Sequence, residues 1–366
     1  MGRRVVVGGG LFGAHAALIL ASKGHDVVLI ERDDDLLRRA SHVNQARLHT
    51  GLHYPRSLLT ARETLNHYRR FRQEFPAAVR DFRQIYAIAR HGSKTSADSF
   101  RTFIDRLGLD VEEIPTDRWF HPGTVDVAMQ VEEPTFDASV LRREFSVRLR
   151  SDKRITLRLG ENVHGATRHR DEILIHTSNG TVACDGLVVA AYAGTNPMRD
   201  GLGLNRLPLA HELTEVVLGR VEARLSGVGF TVMDGPFWSL MPFGSGDVVS
   251  LTSVGLTPAA RAGALPAFDC QSLNPACSPQ HLMTCNTCAF RPATNGVHHR
   301  QQMAMFLRWA SDYHPMESLW TVKTILKTTE VDDARPTVVH KEPDEAIWTI
   351  FSGKVSTLFE LEERLS

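Results

Sequence analysis

Three glycines, Gly8, Gly10 and Gly13, stand at G-x-G-x-x-G spacing directly after the apolar run Val5-Val6-Val7. In that arrangement Gly8 allows a tight turn, Gly10 lets a pyrophosphate approach the backbone, and Gly13 lets a helix pack closely on the strand before it. The helix opens at Leu11 and Phe12, and the free N–H groups of its first turn would face the phosphates. Glu31 lies 23 residues after Gly8, beside Arg32 and at the end of a second apolar run. An acid there can hold a ribose hydroxyl. The chemistry implied is dinucleotide binding; the alternative is a tight strand–turn–helix unit that binds nothing. A second group of chemically capable residues is Cys270, Cys277, Cys285 and Cys288, with His281 between them. Thiolates from a C-x-x-C pair can share a tetrahedral Zn²⁺ with two further thiolates. The first pair is spaced more widely than such sites prefer, so structural zinc and plain unpaired thiols both remain open.

These residues need elements to position them. Ala14, Ala17, Leu18 and Ala21 recur at helical steps after the glycine turn, and Gly24 closes the helix before Val27 to Ile30. Further helices are expected over Ser57–Phe75, Ser99–Leu107, Ala138–Leu149 and Gly296–His314, the third with Asp137 as its N-cap. Asn179-Gly180 is a hairpin turn between two short alternating runs. Leu187 to Val189 begins a buried strand that ends in small residues. Strands are expected at Arg83–Ala89, Ile155–Leu159, His211–Val221, Gly229–Met233, Trp238–Pro242, Val248–Val254 and Ser318–Thr328.

A chain of 366 residues suggests two domains. The 42 basic side chains balance the 42 acidic ones, which argues against a general nucleic-acid or membrane-surface role. No apolar run approaches a membrane span. The first strand begins almost at Met1, so a cytoplasmic protein is expected, where cysteines are more often thiols or metal ligands than disulfides.

The stretch Arg39 to Pro55 is too polar for a core strand and too rich in His and Asn for a plain linker. Leu48-His49-Thr50-Gly51, followed by Tyr54, resembles a segment of the D-amino-acid oxidase superfamily of flavoproteins, nearest its L-2-hydroxyglutarate and glycerol-3-phosphate dehydrogenase branches. In that family the segment runs along the flavin. The resemblance implies that Arg47 and Leu48 border the cofactor, that His49 and His53 face the flavin ring or the substrate, and that Ser41 and Asn44 lie near the pyrophosphate. The sequence departs from the family at Gln45 and Arg47, where small residues are usual. Val163 corresponds to the valine whose backbone holds adenine. The run closing on Ala191 and Gly194 resembles the family's second dinucleotide-domain fingerprint. Arg335, in an Arg-Pro pair, resembles the arginine that clamps a substrate carboxylate; a salt bridge to Asp332 or Asp333 is the alternative. Gly353-Lys354-Val355-Ser356 resembles the closing turn, followed by a helix whose N-terminus faces the flavin pyrimidine edge.

The fold so implied is α/β: a Rossmann-like FAD-binding domain over residues 1–82, 132–205 and 330–366, with an antiparallel-sheet substrate domain over 83–131 and 206–329. The Cys-rich stretch 265–295 is an insertion that the resemblance does not cover. The function implied is an FAD-dependent oxidoreductase that takes a hydride from a CH-NH or CH-OH carbon of a small polar substrate, with His49 or His53 as base. The alternatives are an NAD(P)-dependent dehydrogenase and a flavin-bound, non-catalytic assembly protein.

Overall fold

The structure, a computed structural model, describes residues 2–169, 172–235, 237–244, 246–327, 337–343 and 345–365. Strand β1 (Arg3–Val7), helix α1 (Leu11–Ser22) and strand β2 (Asp26–Glu31) follow one another where the glycine turn and the apolar periods place them. β1 lies in the middle of a six-stranded sheet, parallel to β2 on one side and to Gly186–Val189 on the other, with Val5 opposite both Val28 and Leu187. Ile155–Leu159 extends the sheet beyond β2, and Ile347–Phe351 beyond Gly186–Val189, both in parallel. Only the edge strand Val338–Lys341 runs antiparallel. Strands β1 and β2 are nearly continuous apolar runs because this sheet is covered on both faces. α1 packs Leu11, Ala14 and Ala17 on one face, together with Phe71 and Phe145 from the helices Leu58–Glu74 and Ala138–Ser151 and with Phe75, which follows the first of them. The hairpin around Asn179-Gly180 belongs to a separate three-stranded sheet on the other face, where Ile175 and Val182 meet Val5, Val28 and Leu187.

Leu209–Val221 is the longest strand and pairs with Val248–Ser253, Pro258–Ala262, Tyr313–Pro315 and Leu319–Leu326 in a ten-stranded sheet. The sheet continues through Trp238–Pro242 and Val228–Met233 to Arg83–Ala89, Val125–Glu132 and Glu112–Ile114. It is antiparallel except at one seam, where Val228–Met233 runs parallel to Arg83–Ala89. The expected helix from Gly296 ends at Phe306. Leu307 is drawn into a β-bridge with Phe120, and the chain then passes through a short 3-10 turn into Tyr313–Pro315. Among the described residues no helix is long and apolar enough to cross a membrane.

Candidate active site

A continuous cavity of about 1250 Å³ is lined by residues of both large sheets. At one end the glycine turn forms its floor. Gly8 has φ +110°, and a Cβ there would meet Ala190 O at 2.5 Å. A Cβ on Gly13 would lie 1.9 Å from Gly8 O, so this glycine serves helix–strand packing, and Gly13 does not itself line the cavity. Gly10, Leu11 and Phe12 do line it. At the start of α1, Ser41 Oγ accepts the Leu11 N–H at 3.0 Å. The Glu31 carboxylate accepts N–H groups from Gly9 at 2.5 Å and Asp33 at 2.9 Å. Burial pushes that carboxyl up, and the two N–H groups oppose the shift. Burial likewise lowers Arg32, to about 10. Val163, Ala191 and Gly194 line the same end. A turn that is closed to side chains at Gly8 and Gly13, the N-terminus of α1 at the cavity and an acid at the end of β2 together fit a dinucleotide such as FAD.

The polar segment after β2 supplies the other end. Asn44 is held by its own loop, donating to Ala40 O at 2.9 Å and accepting the Ala46 N–H at 2.6 Å, and it faces the cavity. Gln45 Nε2 donates to Thr252 Oγ1 across the cavity. His49 and His53 stack with ring centroids 4.8 Å apart and planes 27° from parallel, and Tyr54 meets each of them edge-on. All three line the cavity.

Two of the residues expected along the cofactor are placed differently. Leu48 is fully buried in the apolar core and does not line the cavity, because its N–H is committed to Pro134 O and its side chain to the packing beneath the loop. Arg47 borders the cavity, but its guanidinium turns inward. It donates to Thr231 Oγ1 at 2.7 Å and Tyr86 Oη at 3.2 Å, and it lies 3.8 Å from Glu133 Oε1 and 3.4 Å from His53 Nδ1. Glu133 is wholly buried and accepts from Tyr86 Oη at 2.6 Å, from Thr50 N at 3.0 Å and from Thr50 Oγ1 at 2.9 Å. Burial and the Glu133 charge push the Tyr86 phenol well above its ordinary range, so it stays a donor. A guanidinium can only donate. The contact with Arg47 therefore makes His53 Nδ1 an acceptor and puts the ring proton on Nε2.

At the closing turn, Gly353, Lys354, Val355 and Ser356 line the cavity, and Lys354 Nζ sits 4.4 Å from the centroid of the Tyr54 ring. The helix expected there is a six-residue 3-10 segment, Val355–Glu360, followed by the short helix Leu361–Arg364. Too few peptide dipoles align in it for a substantial macrodipole, and Lys354 brings a cationic side chain to the turn. Arg335 lies outside the described residues.

The four cysteines are reduced, and among the described residues no three His, Cys, Asp or Glu side chains are grouped to hold a metal ion. Of the two readings open for these cysteines, zinc therefore finds no support among the described residues. Burial pushes the Cys270 thiol up and the Cys285 thiol up to about 11, and Cys270, Cys277 and Cys285 pack against apolar side chains. Two sulfurs serve as local acceptors, Cys277 from the Met283 N–H and Cys288 from Asn274 Nδ2. Sequence reasoning missed Glu133, whose burial no local pattern shows, and Arg39, Arg56 and Lys94, which all line the cavity.

The sequence profile of the FAD dependent oxidoreductase (DAO) family matches residues 3–336, and the chain belongs to that family. It is an FAD-dependent oxidoreductase enzyme. An FAD-dependent monooxygenase of Fusarium mangiferae is 29% identical over 274 residues, covering 72% of this chain and 69% of that one. Among solved structures, NikD, an unusual amino acid oxidase essential for nikkomycin biosynthesis, superposes with a TM-score of 0.74 at 16% identity, over 99% of this chain and 92% of the other. Glycine oxidase from Geobacillus kaustophilus gives 0.70 at 14% identity, over 100% and 94%.

Proposed function

We propose that the protein oxidises a small polar substrate at a carbon bearing an amine or a hydroxyl, and that His49 and His53 face the reacting carbon. The observation that carries this reading is the stacked histidine pair at the cavity wall, held from behind by the buried Arg47–Glu133 pair. The family profile names FAD, which favours a flavoenzyme over a nicotinamide-dependent one. When bound, FAD accepts the hydride. Gly8, Gly10, Leu11, Phe12, Ser41 and Asn44 would hold its pyrophosphate, Glu31 and Arg32 its ribose, and Val163, Ala191 and Gly194 its adenosine side. Residues 353–356 would border the flavin ring.

The protein's own groups then divide the work. His53, with its proton on Nε2, offers a donor to the substrate heteroatom, while its Nδ1 is occupied by Arg47. His49 takes up the proton that leaves the substrate nitrogen or oxygen. Lys354 stabilises negative charge that develops beside Tyr54. Exposed Lys94 lines the cavity, as does exposed Arg56, which is paired with Asp234 Oδ2 at 2.9 Å; a cation such as Lys94 attracts a substrate carboxylate. The division into a cofactor domain and a substrate domain, with the boundaries expected from sequence, belongs to the same reading. The name of the Fusarium relative favours a second outcome, transfer of an oxygen atom to the substrate.

Anaerobic mixing with a panel of amino acids and hydroxy acids, followed through the flavin absorbance, tests the proposal. His49→Ala and His53→Ala should keep the flavin and slow its reduction by about 10²–10⁴-fold, the usual contribution of a general base. Unchanged reduction in both variants refutes the assignment. Labelled dioxygen appearing in the product of the aerobic reaction selects the monooxygenase outcome.

A further inference from the structure

The cysteine-rich insertion has no counterpart in the expected family pattern, yet residues 280–286 line the same cavity as Glu31, Arg32 and Val163. An acid at the end of β2 marks the ribose of the adenosine half, and contacts of the insertion with Arg39, in the loop after β2, and with Asn162, next to Val163, place it at that half. Its anchorage is two-sided. On the substrate sheet, Leu282 is 4% exposed and packs in one cluster with Phe268, Trp320 and Val322. Nearby, Asn286 Oδ1 accepts the Trp320 N–H at 2.6 Å. On the other side, Arg39 forks onto Asp33, with Nε 2.8 Å from Oδ2 and Nη2 2.7 Å from Oδ1, and its Nη1 donates to Leu282 O at 2.9 Å. His281 Nδ1 also lies 3.4 Å from Asn162 Nδ2, next to Val163.

We infer that the insertion is a latch over the adenosine diphosphate half of the bound cofactor, with residues 280–286 as its closing edge and the Arg39–Leu282 contact as its catch. The inference rests on the family's use of FAD, and on nothing about the substrate. An arginine suits this position, because its planar fork satisfies Asp33 with two donors and leaves a third for the carbonyl of the insertion. The same arginine therefore ties the loop after β2 to a segment more than two hundred residues away. Because Leu282 is anchored in the apolar cluster, the catch draws the two sheets together over the adenosine half. A cofactor already seated would be slow to leave.

The native chain, stripped of flavin, can be alkylated with iodoacetamide with and without ADP, which carries the adenosine and pyrophosphate but no flavin. Burial holds the Cys285 thiol near 11, so the reaction is run above neutral pH and read by mass spectrometry. Cys285 lines the cavity, whereas Cys184 is buried in the hairpin core and reports general stabilisation. ADP should slow labelling of Cys285 at least tenfold more than labelling of Cys184. Equal slowing of the two, or none, overturns the latch. As a second measurement, Arg39→Met and Leu282→Ser should weaken ADP and FAD binding by the same factor, tenfold or more, and should speed FAD release from the holoenzyme. A loss confined to FAD, with ADP affinity unchanged, places the insertion's effect elsewhere and also overturns the proposal. Failure of the unaltered chain to bind FAD at all would count against the cofactor reading, not against the latch.

Discussion

Removing the carboxylate of Glu133 should destabilise this protein more than almost any other single truncation. Glu133 is wholly buried, and the Arg47 side chain beside it is 2% exposed. In Glu133→Ala, the Arg47 cation keeps its hydrogen bonds to Tyr86 and Thr231 but loses the only negative charge within 4 Å of it among the described residues. The Thr50 N–H loses its acceptor too. Breaking a buried pair by removing one partner costs about 3–5 kcal/mol, because an uncompensated charge stays behind. At roughly 2 °C per kcal/mol for a chain of this size, the melting temperature should fall by about 6–10 °C. Glu133→Gln keeps an acceptor for Tyr86 and Thr50 and should lose less. Arg47→Met combined with Glu133→Leu should recover most of the loss, since a well-packed apolar pair replaces buried ions at little cost. Calorimetric scans of the four proteins, with flavin content measured in parallel, supply the assay. A shift below about 1 kcal/mol for Glu133→Ala, or a double variant no more stable than Glu133→Ala, would refute the reasoning. The network would then be one of surface-like ion pairs, whose usual worth is below that.

Gly13→Ala places a methyl 1.9 Å from Gly8 O, a backbone atom that can move only with the glycine turn. Flavin binding measured by fluorescence quenching should weaken at least tenfold. His15 is held down at about 4, first by burial, with Glu362 opposing. Its unfolded value is near 6.5, so the unfolded chain binds the extra proton between the two values. Stability is therefore full above about pH 6.5 and is lost as pH falls toward 4. The contribution is on the order of 3 kcal/mol. His15→Phe, facing Phe145 and Phe359, should flatten that acid limb in urea titrations at several pH values; an unchanged limb would mean that His15 is not its source.

What could be read in the sequence was local. The strand–turn–helix–strand unit and Glu31 fall where short-range period and glycine spacing place them, because a helix face and a buried parallel strand leave their signature within a few turns. The N-cap Asp137 was legible for the same reason. Arg47 was not, since a charged side chain reads as exposed until its partner is known, and Glu133 comes from a separate stretch of chain. The helix from Gly296 is shorter than its local pattern implies, because nothing nearby announces the Phe120–Leu307 bridge that stops it. The insertion's place at the cavity hangs on Arg39 meeting Leu282, a contact between residues 243 positions apart.

The parallel seam in the ten-stranded sheet bears on the order in which the chain can assemble. Arg83–Ala89 cannot gain its Val228–Met233 neighbour until some 140 residues more have left the ribosome. Gly186–Val189 likewise waits for Ile347–Phe351. Until then both sheets carry open edges on apolar strands, and pairings this distant in sequence close slowly. Nascent chains should accordingly depend on chaperones during synthesis, and should capture flavin only late, after the last parallel strand has docked.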